Sequence, residues 1–145
     1  MDIKALAQDA APYVVERRHY YHQHPELTGE EKNTRDAIHR DLEALGITDI
    51  RDMVNCYGLV ATIHGGKPGK TVGLRADTDA LPFQEETGLP FASCEPGKMH
   101  ACGHDTHIAM LLGAASSFRS TGRSCRAMCG SSSSRRRSTS SALRL

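Results

Sequence analysis

The sequence lacks the features that would place it in a membrane or outside the cell. No window approaches the roughly 18–20 apolar residues that a membrane-spanning helix needs. The N-terminal stretch MDIKALAQDAAPYVVERR carries acidic residues early and has no continuous apolar core, unlike a signal peptide. The five cysteines are odd in number and lack the dense spacing of a secreted disulfide framework, which indicates reduced thiols. We therefore expect a cytoplasmic protein with no membrane partner.

The C-terminal part of the chain lacks acidic residues and has no Val, Ile or Phe. Residues 119–145 hold nine Ser and seven Arg, a formal charge of +7, whereas residues 1–118 carry −6. Such a composition cannot bury enough apolar surface to offset the entropy lost on ordering. We therefore predict one domain in residues 1–118 and a disordered Ser/Arg-rich tail in residues 119–145.

Three segments show the apolar spacing of helices. Residues 3–21 place apolar side chains three and four positions apart, although Pro12 predicts a break or a late start there. Residues 30–45 are typical of a helix with an acidic first turn. Residues 106–115 are small and apolar enough for a compact buried helix.

Between these helices the pattern changes to that of strands. GLVATIHG and TVGLRAD are short β-branched runs joined by the turn-forming stretch GGKPGK, which predicts two adjacent strands. Residues 80–98 are predicted to be a loop. The order of helices, strands and a buried helix indicates an α/β layered domain.

A polar cluster precedes the predicted buried helix in the stretch KMHACGHDTHIAMLLGAA. Cys102 and His104 flank Gly103, which allows the backbone to turn so that the thiolate and the imidazole reach one zinc or other divalent transition ion. His107 follows about one helical turn later, and Asp105 can serve as a ligand or as an acceptor for a ligand imidazole. The alternative is a polar loop whose histidines have ordinary hydrogen bonds.

A second cluster, LRADTDALP, lies at the end of the second predicted strand, where ligand sites of α/β sheets collect. One of Asp77 and Asp79 can bind a metal while the other orients a ligand imidazole. An ordinary strand-end turn is the alternative. The stretch YYHQHPELTGEE is interpreted as a solvated loop and a helix start, and Cys56 and Cys94 as small packed side chains.

Three motifs, HQHPELTGEE, GLRADTDALP and MHACGHDTHIAMLLGAA, resemble in order and spacing the N-terminal part of the M20 metallopeptidase family. The resemblance covers residues 10–118 and is nearest to hippurate, N-acyl-amino-acid and auxin-conjugate hydrolases. It implies part of a zinc-peptidase-like catalytic domain, with helices packed on a mixed sheet. The implied activity is hydrolysis of the amide bond of N-acyl amino acids by a metal-activated water, with a pair of Zn, Mn or Co ions.

The resemblance also implies roles for individual residues. By motif position, Cys102 and His104 are metal ligands, and Asp79 is the acid that supports the catalytic machinery. Asp77 stands where related branches carry a ligand histidine. The family continues with a strand ending in Pro-Ala-Glu-Glu, further ligand histidines and a lid or dimerisation domain, which these 145 residues lack. The resemblance implies that a glutamate of the Pro-Ala-Glu-Glu motif is the general base. A positioned general base raises the reaction rate by about 10²–10⁴-fold, so we expect little or no activity from this chain.

The tail suggests an origin for this departure. One possible coding sequence for residues 124–138, shifted by one base, reads Glu-Leu-Pro-Gly-Asn-Val-Arg-Leu-Ile-Phe-Gln-Pro-Ala-Glu-Glu, a family-like strand with its motif. We interpret the tail as the product of a single-base slip near Arg119. Two other hypotheses remain: a non-catalytic module that binds one divalent ion weakly, and nucleic-acid binding through the basic tail. The second is disfavoured because the tail has no interleaved aromatic residues, so no nucleic-acid partner is expected.

Overall fold

The computed structural model describes residues 2–66, 70–121 and 125–130, with Thr121 and residues 125–130 described by their backbone alone. Helices and strands alternate in groups, as the sequence predicts. In chain order they are α1 (Ile3–Gln23), α2 (Lys32–Ala44), β1 (Ile50–Asp52), β2 (Leu59–Ile63), β3 (Gly73–Asp77), α3 (His104–Thr121) and β4 (Cys125–Gly130). Among the described helices, none combines the length and the hydropathy that a bilayer-spanning segment requires.

The strands form one mixed sheet in the order β1-β2-β4-β3. Strand β4 pairs antiparallel with β2 and parallel with β3. The α/β fold class with helices on a mixed sheet is therefore confirmed. The prediction that β2 and β3 are neighbours is wrong, because β4 lies between them and turn residues alone do not show whether another strand will intervene.

Helix α1 continues through Pro12, so the predicted break is wrong. The Asp2 carboxylate accepts hydrogen bonds from the backbone N–H groups of Lys4 and Ala5, which starts the helix a full two turns before the proline. The helix then packs along α3, where an added Cβ on Gly113 would lie 2.4 Å from Cγ2 of Val14. This close approach supplies packing that offsets the hydrogen bond Pro12 cannot donate.

The tail prediction does not hold at its start. Helix α3 continues through Arg119 to Thr121, and residues 125–130 form strand β4, although the sequence predicts disorder from residue 119. Sheet pairing supplies backbone hydrogen bonds on both sides of β4, which composition alone does not reveal. Residues 131–145, the rest of the predicted tail, lie outside the described residues.

The core lies between the helices and the sheet. Helix α3 supplies Ile108 and Leu112, α2 supplies Ile38, and β2 supplies Leu59, each at most 1% exposed. The core cluster also includes Tyr21, Ala37, Leu42, Ile47, Ala61, Ile63, Ala76, Leu111 and Ala115. Residues 78–103 run from the end of β3 to the start of α3 without regular structure except isolated bridges, and they carry Asp79 and Cys102 of the two polar clusters.

Candidate metal centre

The end of β3 and the start of α3 bring polar side chains together. Strand β3 ends at Asp77 and α3 begins at His104, directly after Gly103. Gly103 has φ +79°, a left-handed conformation that a side chain would strain, so the glycine permits the turn into the helix. Ligand atoms of Asp77, His104 and His107 lie within 4.8 Å of one another. Two motifs that are separate in the sequence therefore share one corner of the fold.

Asp79 holds the imidazole of His104. Nδ1 of His104 lies 2.8 Å from the backbone carbonyl oxygen of Asp79 and 3.1 Å from its Oδ1. The Thr28 hydroxyl donates to the other carboxylate oxygen of Asp79 at 2.5 Å. Since both atoms facing Nδ1 are acceptors, Nδ1 carries the proton, and Nε2 is the ring nitrogen available for a metal. Asp79, 6% exposed, therefore fixes the tautomer of a candidate ligand.

The other two members of the cluster are less constrained. The Arg75 guanidinium donates to Oδ1 of Asp77 at 2.8 and 3.1 Å, so a cation at this carboxylate would have to share it with a positive charge. His107 is exposed and its ring stacks on that of His104, with centroids 5.6 Å apart. This end of the cluster is open to solvent.

Cys102 is an exposed free thiol beside the cluster and is not a member of it. Its loop is ordered by the N–H of Gly103, which donates to the carbonyl of His100, and by the N–H of His107, which donates to the carbonyl of Gly103. Cys56 and Cys94 are also exposed, so the prediction that they pack as small hydrophobic side chains is wrong. The sequence does not show which face of a turn a cysteine occupies.

Among the histidines and glutamates of the stretch YYHQHPELTGEE, His22 and Glu31 are buried, so its interpretation as a solvated loop is wrong for them. His22 is 3% exposed and Glu31 is 1% exposed. His22 lies between carboxylates of Asp105 and Glu85, whereas Glu31 accepts from the N–H of Gly29 at 2.7 Å. Their partners come from distant segments or from the local turn, and no spacing rule shows those contacts beforehand.

His100 is a buried imidazole near the cluster. It is 3% exposed, and neither ring nitrogen has a hydrogen-bond partner among the described residues. Burial lowers its pKa to about 4; the neighbouring His22 and His104 add to this effect, while Asp105 opposes it. His100 is therefore neutral at pH 7 and adds no charge to the corner.

The donor set fits a divalent transition ion. Imidazole nitrogen and carboxylate oxygen suit Zn²⁺, Mn²⁺ and Co²⁺, and the His104 ring is held by a carboxylate as ligand imidazoles in metal sites usually are. Asp77, His104 and His107 are the residues that would hold the ion, with Asp79 supporting His104. The cluster supplies three donors, which are part of a coordination sphere.

Comparisons with known proteins agree with this chemistry. Residues 73–126 match the model of peptidase family M20/M25/M40. The chain is 42% identical over 117 residues to N-acyl-L-amino acid amidohydrolase of Geobacillus stearothermophilus, covering 81% of this chain and 31% of that protein. It is 51% identical over 122 residues to N-acetyl-L-cysteine deacetylase of Bacillus subtilis, covering 79% of this chain and 29% of that protein.

A solved structure shares both the fold and the sequence. The Bacillus subtilis YXEP protein, described as a dinuclear metal binding peptidase from the M20 family, matches with a TM-score of 0.78 and 38% identity. The match covers 84% of this chain and 35% of that one. The fold is that of part of a metallopeptidase-type catalytic domain. The chain belongs to the M20 family and spans 26–31% of the length of the first curated relatives it matches.

Proposed function

We propose that this chain is the N-terminal part of the catalytic domain of a metal-dependent amidohydrolase that acts on N-acyl amino acids. The observation that carries the proposal is the pairing of Asp79 with His104, 25 residues apart, beside the ligand atoms of Asp77 and His107. Support also comes from relatives named for amidohydrolase and deacetylase activity.

Each residue has a role in this proposal. His104 binds the ion through Nε2, and Asp79 holds its ring and keeps the proton on Nδ1. Asp77 and His107 are the adjoining donors, and Cys102, in the loop before α3, is a ligand proposed from the family motif. When bound there, a divalent ion (Zn²⁺, Mn²⁺ or Co²⁺) would supply polarisation of the amide carbonyl and acidification of a water molecule.

A metal titration tests the site. The wild-type chain and a His104→Ala variant are titrated with Zn²⁺ by calorimetry at constant pH. We expect wild-type binding and at least a tenfold loss in the variant, because the best-supported donor is gone. His64→Ala is the matched control, since it removes an imidazole that also contacts a carboxylate (Asp49, 2.8 Å) but is 75% exposed. Equal affinity of wild type and His104→Ala would overturn the assignment.

A chimaera tests the activity. Residues 1–118 replace the matching segment of the Geobacillus stearothermophilus amidohydrolase, and hydrolysis of N-acetyl amino acids is measured with Zn²⁺, Mn²⁺ or Co²⁺. We expect turnover that His104→Ala abolishes and His64→Ala preserves. The 145-residue chain alone is expected to give no turnover. A folded, metal-loaded chimaera without activity would contradict the proposed function.

We also propose that the residues from about 119 onward arise from a one-base slip in the coding sequence. The similarity to the family model ends at residue 126, inside the segment whose shifted reading restores a family-like strand. The coding DNA for residues 115–140 tests this directly. A sequence that yields no such strand in either alternative frame would end the proposal.

A further inference from the structure

A buried network of ionisable side chains adjoins the candidate metal centre through Asp105, the neighbour of His104 in the chain. Its members are Arg18, His22, Glu85 and Asp105, which we call the His22 network. Nδ1 of His22 lies 2.7 Å from Oδ2 of Asp105, and Nε of Arg18 lies 2.9 Å from the same oxygen. Nε2 of His22 lies 3.2 Å from Oε1 of Glu85. The network therefore joins α1, the loop after β3 and the first turn of α3.

The network is almost completely removed from solvent. The side chains of His22, Glu85 and Asp105 are 3%, 2% and 0% exposed, and that of Arg18 is 30% exposed. Burial of charged groups costs free energy unless each has a partner in good geometry. Such a network tolerates only small displacements of its members, so it can fix the backbone that carries them.

Glu85 anchors the loop side of this network. Burial alone would raise its pKa, but hydrogen bonds from the Thr87 hydroxyl, the Ser93 N–H and His22 outweigh burial and lower it. Phe91 of the same loop lies under the Arg18 guanidinium, 4.7 Å from ring centroid to Cζ. It also stacks on His19, with ring centroids 3.9 Å apart. The loop is thereby attached to the last turns of α1.

The link to the metal cluster is one peptide bond long. Asp105 is the second residue of α3, and His104, whose ring faces Asp79, is the first. Asp105 therefore points back toward α1 while its neighbour points toward the end of β3. A shift of Asp105 moves the His104 backbone, and displacements of a few tenths of an ångström matter at metal sites.

We propose that His22 and Arg18 are positioning residues for the metal centre, which hold His104 against Asp79 by fixing Asp105. This inference rests on the proposed function for its metal readout. It does not require either residue to touch the ion or the substrate. It assigns a purpose to the buried histidine of the HQHPE stretch, which the metal cluster itself does not use.

The test uses the 145-residue chain with His22→Gln, and with His64→Gln as the matched control. Gln has a single donor nitrogen, and its other polar atom is a carbonyl oxygen that only accepts, so it cannot donate to both carboxylates as the His22 ring can. His64→Gln changes an exposed histidine–carboxylate pair of 2.8 Å elsewhere. The first readout is the ring ¹⁵N signals of His104 without metal. We expect the single Nδ1–H tautomer in wild type and His64→Gln, and a mixture of tautomers in His22→Gln.

The second readout is Zn²⁺ affinity at constant pH. We expect a loss of about tenfold in His22→Gln, the lower end of what outer residues contribute in metal sites. In an Asp105→Asn background, His22→Gln should change the affinity less than twofold, because His22 acts through Asp105. If the role of His22 were merely structural, His22→Gln would lower thermal stability in both the wild-type and the Asp105→Asn chain. It would then also lower Zn²⁺ affinity by a similar factor in both.

The outcomes separate this inference from the proposed function. Unchanged His104 ring signals in His22→Gln would overturn the positioning role, whatever the metal affinity. If wild type binds no Zn²⁺, the proposed function fails, and the ring signals still decide the positioning role. If His22→Gln does not fold, Arg18→Gln replaces it, because Arg18 is partly exposed and contacts the same carboxylate oxygen. Arg18→Gln with wild-type ring signals would then overturn the inference.

Discussion

The paired helices α1 and α3 differ sharply at their two ends. At one end, the last turns of α1 and the first turn of α3 meet through buried charges, with Asp105 0% exposed between Arg18 and His22. At the other end, the same helices leave an apolar groove of about 600 Å³. There Ile3 is 72% exposed and Met110 is 51% exposed.

The two ends of this helix pair depend on different interactions: ionic contacts at one end and apolar packing at the other. Buried charges require particular partners at particular distances, so the polar end is sensitive to any change of residue type. Apolar contacts are non-directional and roughly additive in area, so the groove end tolerates exchange except where backbones approach closely. The candidate metal centre lies beside the polar end, where we expect substitutions to be tolerated least.

The largest expected effect is at Asp105. Asp105→Ala leaves the Arg18 guanidinium and the His22 imidazole without their carboxylate partner, which should lower the free energy of unfolding by about 3 kcal/mol. The lower end of the usual range applies because Arg18 is 30% exposed and its charge is partly screened. Urea unfolding of wild type and variant measures it. A loss below about 1 kcal/mol, within the range of exposed ion pairs, would show that the polar end is no more demanding than the groove.

The next effect is at the close contact between Gly113 of α3 and Val14 of α1. Gly113→Ala adds a Cβ 2.4 Å from Cγ2 of Val14, so either the Val14 side chain or the helices must shift. We expect a loss of about 1–3 kcal/mol by urea unfolding. The double variant with Val14→Ala should recover most of it, because the clashing methyl group is removed. Failure of the second change to restore stability would place the strain elsewhere.

Asp79→Asn tests how strongly metal binding depends on the buried carboxylate that holds His104. The amide retains the shape of the carboxylate but presents a weaker acceptor to Nδ1 of His104, now 3.1 Å from Oδ1. Zn²⁺ affinity should fall about tenfold or more, as for other carboxylates that orient ligand histidines. Asp49→Asn is the control, since it weakens the exposed pair with His64 in the same way. An equal affinity loss in both variants would exclude a specific role of Asp79.

The smallest effect is expected in the groove. Ile3→Gln replaces a side chain that is 72% exposed, so the free energy of unfolding should change by no more than about 0.5 kcal/mol. The same measurement on Ile108→Gln, a fully buried position of α3, should show a loss of several kcal/mol. Similar losses of unfolding free energy in both variants would contradict the burial of Ile108 and the exposure of Ile3.

The elements that follow local rules of side-chain spacing can be predicted from the sequence. Apolar spacing locates α2 and α3, and β-branched runs locate β2 and β3, because side-chain periodicity follows directly from helix and strand geometry. The short β1 and β4, which has no β-branched residue, carry no such pattern. Their positions depend on neighbouring strands, which is why β4 and the order of the sheet were not predicted.

The candidate site likewise has a part that the sequence predicts and a part that it does not. The Cys-Gly-His loop and the Asp77–Asp79 turn are recognisable from residue types, and their meeting is expected from the strand end and the helix start. The contact between His22 and Asp105 joins residues 83 positions apart. It depends on how α1 crosses α3, so no spacing within either segment indicates it.

The most direct test of the central claim is a paramagnetic titration of the histidine rings. Substoichiometric Mn²⁺ is added to the isotope-labelled 145-residue chain, and line broadening of the histidine ring signals is measured. The account predicts strong broadening of His104 and His107, with His39 and His64 unaffected. Broadening that favours His39 or His64, or an equal and weak effect on all rings, would contradict a cation site at the corner between β3 and α3.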